Sequence, residues 1–266
     1  MTTNNTMQQT ILSHLQEVEE QYNVRVLLAV ESGSRAWGFH SDESDWDVRF
    51  IYVNPLDWYL QVNEDRDVIE HMYDDDVDLV GWELRKTLRL FQKSNPSLME
   101  WLHSPIIYRA DEEFLSRMRA LEPAYFNPIK TMYHYGSIYI KHDKRYLQNA
   151  AYPLKRFLYY LRGILACRWI EARQTMPPVL FSELVQATVA EEPIRQKIDE
   201  LIALKRQSKE NDLKEVDSSL VEYSRHWAEH FEQTIASFRP EMSHSDNSEL
   251  LDEVLRGMVR SKFTGL

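Results

Sequence analysis

Two aspartates one residue apart, Asp45 and Asp47, open an apolar run that continues through Val48, Phe50, Ile51 and Val53. If that run is a strand, side-chain alternation puts both carboxylates on one face, where they repel each other unless a cation lies between them. A divalent ion suits the pair. Mg²⁺ is held by one or two carboxylates together with phosphate oxygens, and a two-metal site can align an attacking hydroxyl with a departing pyrophosphate. The second half of such a site stands upstream, where the apolar segment Val24 to Val30 runs into Ser32-Gly33-Ser34. Gly33 lets the backbone approach a phosphate, the neighbouring N–H groups can point at its oxygens, and the Ser34 hydroxyl adds a donor.

Other loops with some of these residues are excluded by composition. Gly33 and Gly38 have P-loop spacing, but Phe39-His40 stand where Lys and Ser/Thr are required. Counted from Asp45 as an EF-hand loop, the fifth and sixth positions are Arg49 and Phe50, the latter in place of the turn glycine. A lone Asp-x-Asp arises often by chance, so the flanking strand and glycine turn carry the argument. His40, His71 and His103 lack metal-ligand spacing and read as structural or surface groups. Trp58, Trp82, Trp101 and Trp169 read as core residues, and Cys167, on an apolar helix, as a packed residue.

The elements that must position these groups follow from periodicity. Ile11, Leu15, Val18 and Tyr22 fall on one face of a helix near 8–22. Strands are expected over 24–30, 46–53, 66–73 and 77–82, the last two joined by the turn-forming Asp74-Asp75-Asp76. Leu84, Thr87, Leu88 and Phe91 restore helical spacing, and Asn95-Pro96 and Asn127-Pro128 are helix-start signals. Strands are thus expected only in the first third. Leu154, Phe157, Leu158, Leu161 and Leu165 mark one long helix, and Val216, Leu220, Tyr223, Trp227 and Phe231 another. Thr175 to Pro178 breaks the pattern, and 239–248 reads as a polar linker before an amphipathic helix near 249–260. On that last helix Leu250, Leu251, Val254, Leu255 and Met258 form a stripe that can dock on its own chain or on another subunit. The expected architecture is α/β (α+β): a small mixed-sheet core over residues 1–125, followed by a helical bundle domain over 126–266.

Bulk composition sets the setting. The 266 residues are 43% hydrophobic and 27% charged, with only 7 Gly and 10 Pro, which argues against a turn-dense all-β chain. A net charge of −11 disfavours indiscriminate binding to nucleic acid or anionic membrane, though a local basic groove remains open. One cysteine cannot form an intrachain disulfide, and no apolar run of about 18 residues or signal-like N-terminus occurs. A cytoplasmic protein that neither crosses a membrane nor is secreted is expected.

With ten residues between Ser34 and Asp45, the order apolar strand, Gly-Ser, spacer, Asp-x-Asp resembles the signature of the DNA polymerase beta superfamily of nucleotidyltransferases. A closer likeness is to the RNA-ligase-associated (RlaP-like) predicted nucleotidyltransferases. It rests on Gly33-Ser34-Arg35-Ala36-Trp37-Gly38, Ser44-Asp45-Trp46-Asp47-Val48-Arg49, Gly81-Trp82-Glu83-Leu84-Arg85-Lys86, Lys93-Ser94-Asn95-Pro96 and Ala166-Cys167-Arg168-Trp169, spanning about residues 30–170.

The resemblance implies a third carboxylate on a later strand, serving as metal ligand and activating the acceptor hydroxyl. Asp78 is the candidate and Asp76 the reserve. It also implies Ser and Lys donors from the helical domain on the triphosphate. His134, Ser137, Lys141 and Lys144 share one helical face and Lys155, Tyr159 and Arg162 another, so Ser137, Lys141 and Lys155 are the candidates, alongside Gly33, Ser34 and Arg35 at the turn. Glu31 and Arg35 flank that turn and can position a nucleotide sugar or phosphate. The implied reaction moves a nucleoside monophosphate from a nucleoside triphosphate, ATP being expected, to a hydroxyl with Mg²⁺ or Mn²⁺. An RNA end is the preferred acceptor. A protein or small-molecule acceptor is the alternative, as is a catalytically silent nucleotide-binding protein, and oligomeric state stays open.

Overall fold

The computed structural model describes residues 2–41, 43–63, 65–146, 151–208, 213–237 and 248–263; the side chains of 2–5, 138–146, 152, 262 and 263 are not included. The chain forms two compact units, one taking the described residues within 1–33, 45–125 and 243–266, the other those within 34–44 and 126–242. Among the described residues no helix is long and apolar enough to cross a membrane.

The first unit is built on a five-stranded mixed sheet. Its strands are β1 (Arg25–Glu31), β2 (Trp46–Val53), β3 (Val68–Met72), β4 (Val77–Glu83) and β5 (Ile107–Ala110), in the order β3-β4-β2-β1-β5. Only β2 and β4 run parallel; the other neighbours are antiparallel. Helix α1 (Thr2–Tyr22) packs Ile11, Leu15 and Val18 against Val48, Phe50 and Tyr52 of β2 and Val77 and Leu79 of β4. Alternation therefore turns Asp47, Arg49 and Asp78 to the opposite face. Tyr22 departs from the expected face: as the last residue of α1 it is 41% exposed.

Two close approaches fix the sheet at the β2–β4 seam. Phe50 stands opposite Gly81, and a Cβ on Gly81 would lie 2.1 Å from the Phe50 ring, so only glycine admits the ring. Asp76, at φ 62 in the β3–β4 turn, accepts from the Trp46 N–H at 2.9 Å and sets where β2 begins to pair. Helices α3 (Leu56–Tyr59), α4 (Leu84–Gln92), α5 (Pro96–Leu102) and α6 (Glu112–Tyr125) belong to the same unit. Glu83 caps α4 by accepting from the Lys86 N–H, and Asn95 caps α5 by accepting from the Leu98 N–H, with Pro96 in the first turn.

Strand β5 corrects the expectation that strands stop in the first third. It has four residues, one of them exposed, and is defined by pairing to the outer edge of β1 rather than by its own pattern. Helix α12 (Glu249–Phe263) packs on α3, α4 and α6 of its own chain, burying Leu251, Val254, Met258 and Val259 and leaving Leu250 exposed.

The second unit is helical. Its elements are the body of α2 (Gly33–Trp37), α7 (Pro128–Tyr146), α8 (Leu154–Arg173), α9 (Phe181–Thr188), α10 (Glu192–Arg206) and α11 (Ser218–Ser237). A two-strand ladder pairs β6 (Ala151–Pro153) with β7 (Leu213–Glu215). Helix α8 buries Leu154, Phe157, Leu158, Leu161, Ile164, Leu165 and Cys167 and packs against α7, α9, α10 and α11. Burial pushes the Cys167 thiol well above its usual pKa, as a packed cysteine requires. Residues 239–247 of the expected linker lie outside the described residues.

Candidate active site

Asp47 and Asp78 are partners in the parallel register of β2 and β4. Their carboxylates converge on one cation: Arg49 Nη2 donates to Asp47 Oδ1 at 3.1 Å and to Asp78 Oδ2 at 2.8 Å. Arg49 Nη1 donates to the carbonyls of Val48 at 3.1 Å and Asp78 at 2.9 Å, so the guanidinium is held on four oxygens. The cluster is accessible, with side-chain exposures of 32% for Asp47, 27% for Asp78 and 18% for Arg49. Two carboxylate oxygens that share one positive nitrogen are a donor set that fits a divalent metal. Among the described residues no three His, Cys, Asp or Glu side chains gather closely enough to hold a metal. Asp47 and Asp78 are a pair.

Asp47 is placed through its backbone. Its N–H donates to Glu31 Oε1 at 2.8 Å, and its carbonyl accepts from the Ser32 N–H at 2.9 Å, which pins the peptides on both sides of the side chain. Glu31 is 0% exposed; its other oxygen accepts from the Tyr108 hydroxyl on β5, and its carbonyl accepts from Ser104 Oγ at 2.6 Å. The carboxylate that was a candidate for touching a nucleotide is spent on positioning Asp47. Gly33, at φ 60, closes the other side. A Cβ there would fall 2.4 Å from Asp47 Oδ2, so the bare glycine backbone lies against the carboxylate.

Asp45 is exposed and directly precedes β2. Asp76 lies in the turn before β4 and uses its carbonyl on Trp46, while Asp78 faces Asp47 in register.

In the helical unit, Ser34 and Arg35 are buried on α2, which is expected to be a turn and instead forms one short helix. The Ser34 carbonyl accepts from the N–H groups of Gly38 and Phe39, each at 3.1 Å, and Arg35 Nη2 donates to the Ser44 carbonyl at 2.6 Å. This loop is anchored by residues outside the motif. Lys205 of α10, itself buried, donates to Ser41 Oγ at 2.9 Å, Arg206 donates to the Gly38 carbonyl at 2.8 Å, and the Arg162 guanidinium lies 4.3 Å over the Trp37 ring. Ser137 is exposed on α7 and donates to the His134 carbonyl. Lys155 is half-buried in the first turn of α8. Lys141 lies on α7, its side chain outside the described residues.

Arg49 and Tyr108 carry the geometry without belonging to the expected site residues, and Glu31, expected beside a nucleotide, carries it through the Asp47 N–H. Arg49 had a usable signal. At two residues beyond Asp47 it shares that residue's strand face by the alternation that groups the aspartates.

A family model described as the RNA repair pathway DNA polymerase beta family, RlaP, matches residues 7–257. The chain belongs to this family. It is a nucleotidyltransferase of the polymerase beta type. It is 46% identical over 207 residues, 78% of this chain and 80% of the relative, to the uncharacterized protein YcgL of Bacillus subtilis strain 168. Among solved structures, a nucleotidyltransferase-like protein from Exiguobacterium sibiricum 255-15 is similar at a TM-score of 0.32 and 11% identity, over 95% of this chain and 89% of that one.

Proposed function

We propose that the protein transfers a nucleoside monophosphate from a nucleoside triphosphate, ATP in the first instance, to a hydroxyl group, and that Asp47 and Asp78 are its central catalytic pair. The observation that carries this reading is their convergence on one cationic nitrogen, in register on parallel strands. Mg²⁺ or Mn²⁺ would be held by Asp47 and Asp78 and when bound would supply positive charge to the phosphates and to the departing pyrophosphate; Asp45, exposed just before β2 and outside that pair, is proposed as a further ligand that would join it only when metal binds.

The chain's own groups have separate tasks. Asp78 accepts the proton of the acceptor hydroxyl. The hydroxyl oxygen bonds to the α-phosphorus, the bond from that phosphorus to the α,β-bridging oxygen breaks, and pyrophosphate leaves with the electron pair. Gly33 keeps side-chain bulk away from the Asp47 carboxylate. Ser34, Arg35, Ser137, Lys141 and Lys155 are proposed as nucleotide-binding residues, and substituting each should raise KM for the triphosphate.

The preferred acceptor is an RNA end, in keeping with the RNA repair description of the family. A net charge of −11 suits a small footprint on one terminus better than a long nucleic-acid track. The proposed setting is the cytoplasm, where nucleoside triphosphates and RNA ends coexist. Incubating the protein with each α-labelled nucleoside triphosphate, Mg²⁺ or Mn²⁺, and separately RNA, total protein and a small-molecule extract tests the acceptor. Label on RNA alone is expected. Label only on protein or on a small molecule would reassign the acceptor.

A further inference from the structure

Arg49 stands where a ligand to Asp47 and Asp78 would bind, and it is not a loosely held surface arginine. One terminal nitrogen bridges Asp47 Oδ1 and Asp78 Oδ2 at 3.1 and 2.8 Å; the other is tied to the Val48 and Asp78 carbonyls at 3.1 and 2.9 Å. The carbonyl bonds run to β2 itself and across to β4, so they hold the guanidinium at the seam independently of the carboxylates. At 18% exposure it is shielded enough for its charge to act at close range and open enough to be exchanged.

From this arrangement we infer that Arg49 is a built-in counter-cation of the carboxylate pair, and that a divalent ion binds Asp47 and Asp78 in competition with it. The inference rests on the proposed reading of that pair as a metal site. Without positive charge between them, two carboxylates in register on adjacent strands repel, so Arg49 lowers the energy of the folded chain. The same charge opposes a second cation at the same oxygens, and Arg49 must release at least one carboxylate bond for the ion to coordinate it. Arg49 thereby sets the metal affinity downward while holding Asp47 and Asp78 at a fixed separation. It is a positioning residue that acts through the two aspartates.

The test is a Mn²⁺ titration of the full chain, read by the electron paramagnetic resonance signal of free Mn²⁺ and by thermal unfolding, with no nucleotide present. The variants are Arg49→Gln, Arg49→Lys and Asp47→Asn. Losing charge-assisted bonds to the competitor should make Arg49→Gln bind Mn²⁺ about ten- to a hundredfold more tightly than the parent. Its unfolding temperature without Mn²⁺ should fall, and its rise on adding Mn²⁺ should exceed the parent's. Arg49→Lys, which keeps the charge but cannot span all four oxygens, should fall between them and supplies the answer if the Gln variant does not fold. Mn²⁺ affinity that is unchanged or weaker in the folded Arg49 variants overturns the inference while leaving the metal site in place. Equal Mn²⁺ binding by the parent and Asp47→Asn overturns the metal reading itself.

Discussion

The Gly33 backbone lies against the Asp47 carboxylate so closely that a single methyl at residue 33 would reach to 2.4 Å of Oδ2. That contact joins the two halves of the motif, the glycine after β1 and the aspartate on β2, although 13 residues separate them in the chain (34–46).

Gly33→Ala and Gly81→Ala should therefore fail in different ways. At Gly33 the added methyl meets a side chain at the edge of the site and a φ of 60, so a stability cost of about 1–2 kcal/mol should accompany a much larger loss of nucleotidyl transfer. At Gly81 the methyl would enter the Phe50 ring within the packed sheet, and unfolding free energy should fall by about 1–3 kcal/mol or more. Denaturant unfolding and pyrophosphate release, measured on both variants, check the contrast. Equal activity per folded molecule in Gly33→Ala and the parent would contradict the role given to residue 33.

Tyr108→Phe removes the hydroxyl that satisfies one oxygen of buried Glu31. Leaving that oxygen without the donor should cost about 1–3 kcal/mol of stability. Because the other oxygen holds the Asp47 N–H, kcat should fall with little change in the KM for the triphosphate. An unchanged kcat would show that Asp47 is placed without Glu31.

Buried Glu83 predicts a pH dependence. Desolvation raises its carboxyl pKa, and this outweighs the bonds from Tyr59 and the Lys86 N–H that favour the charged form. A carboxyl whose folded-state pKa is raised binds its proton more tightly in the folded chain, so its contribution to stability is full below the unfolded-state pKa and is lost as pH rises through the folded-state pKa. Unfolding free energies of the parent and Glu83→Gln should thus differ by an amount that moves against the parent as pH rises across that window. Movement in the parent's favour would contradict the assignment.

Much of the fold was legible because local chemistry and tertiary structure agree. The expected strand 46–53 is β2 with the same bounds, and Asn95-Pro96 caps α5 as its residue types require. Strand β5 was not legible, since Ile107–Ala110 has too few residues for a pattern and exists through its pairing with β1. The aspartate spacing pointed to a shared face, but the partnership of Asp47 with Asp78 depends on the parallel register of two strands separated by α3 and β3. Glu31 illustrates the same limit. A charged residue beside a glycine turn suggests a ligand contact, and only the positions of Tyr108 and the Asp47 N–H reveal why its carboxylate is buried.

The most direct measurement is metal-dependent pyrophosphate release from nucleoside triphosphates by the parent, Asp47→Asn and Asp78→Asn, with unfolding curves run in parallel to establish that each is folded. The parent should release pyrophosphate only with Mg²⁺ or Mn²⁺, and each variant should lose on the order of 100-fold or more of that activity. Release that persists at the parent's rate in folded Asp47→Asn and Asp78→Asn would contradict the assignment of this pair as the catalytic centre.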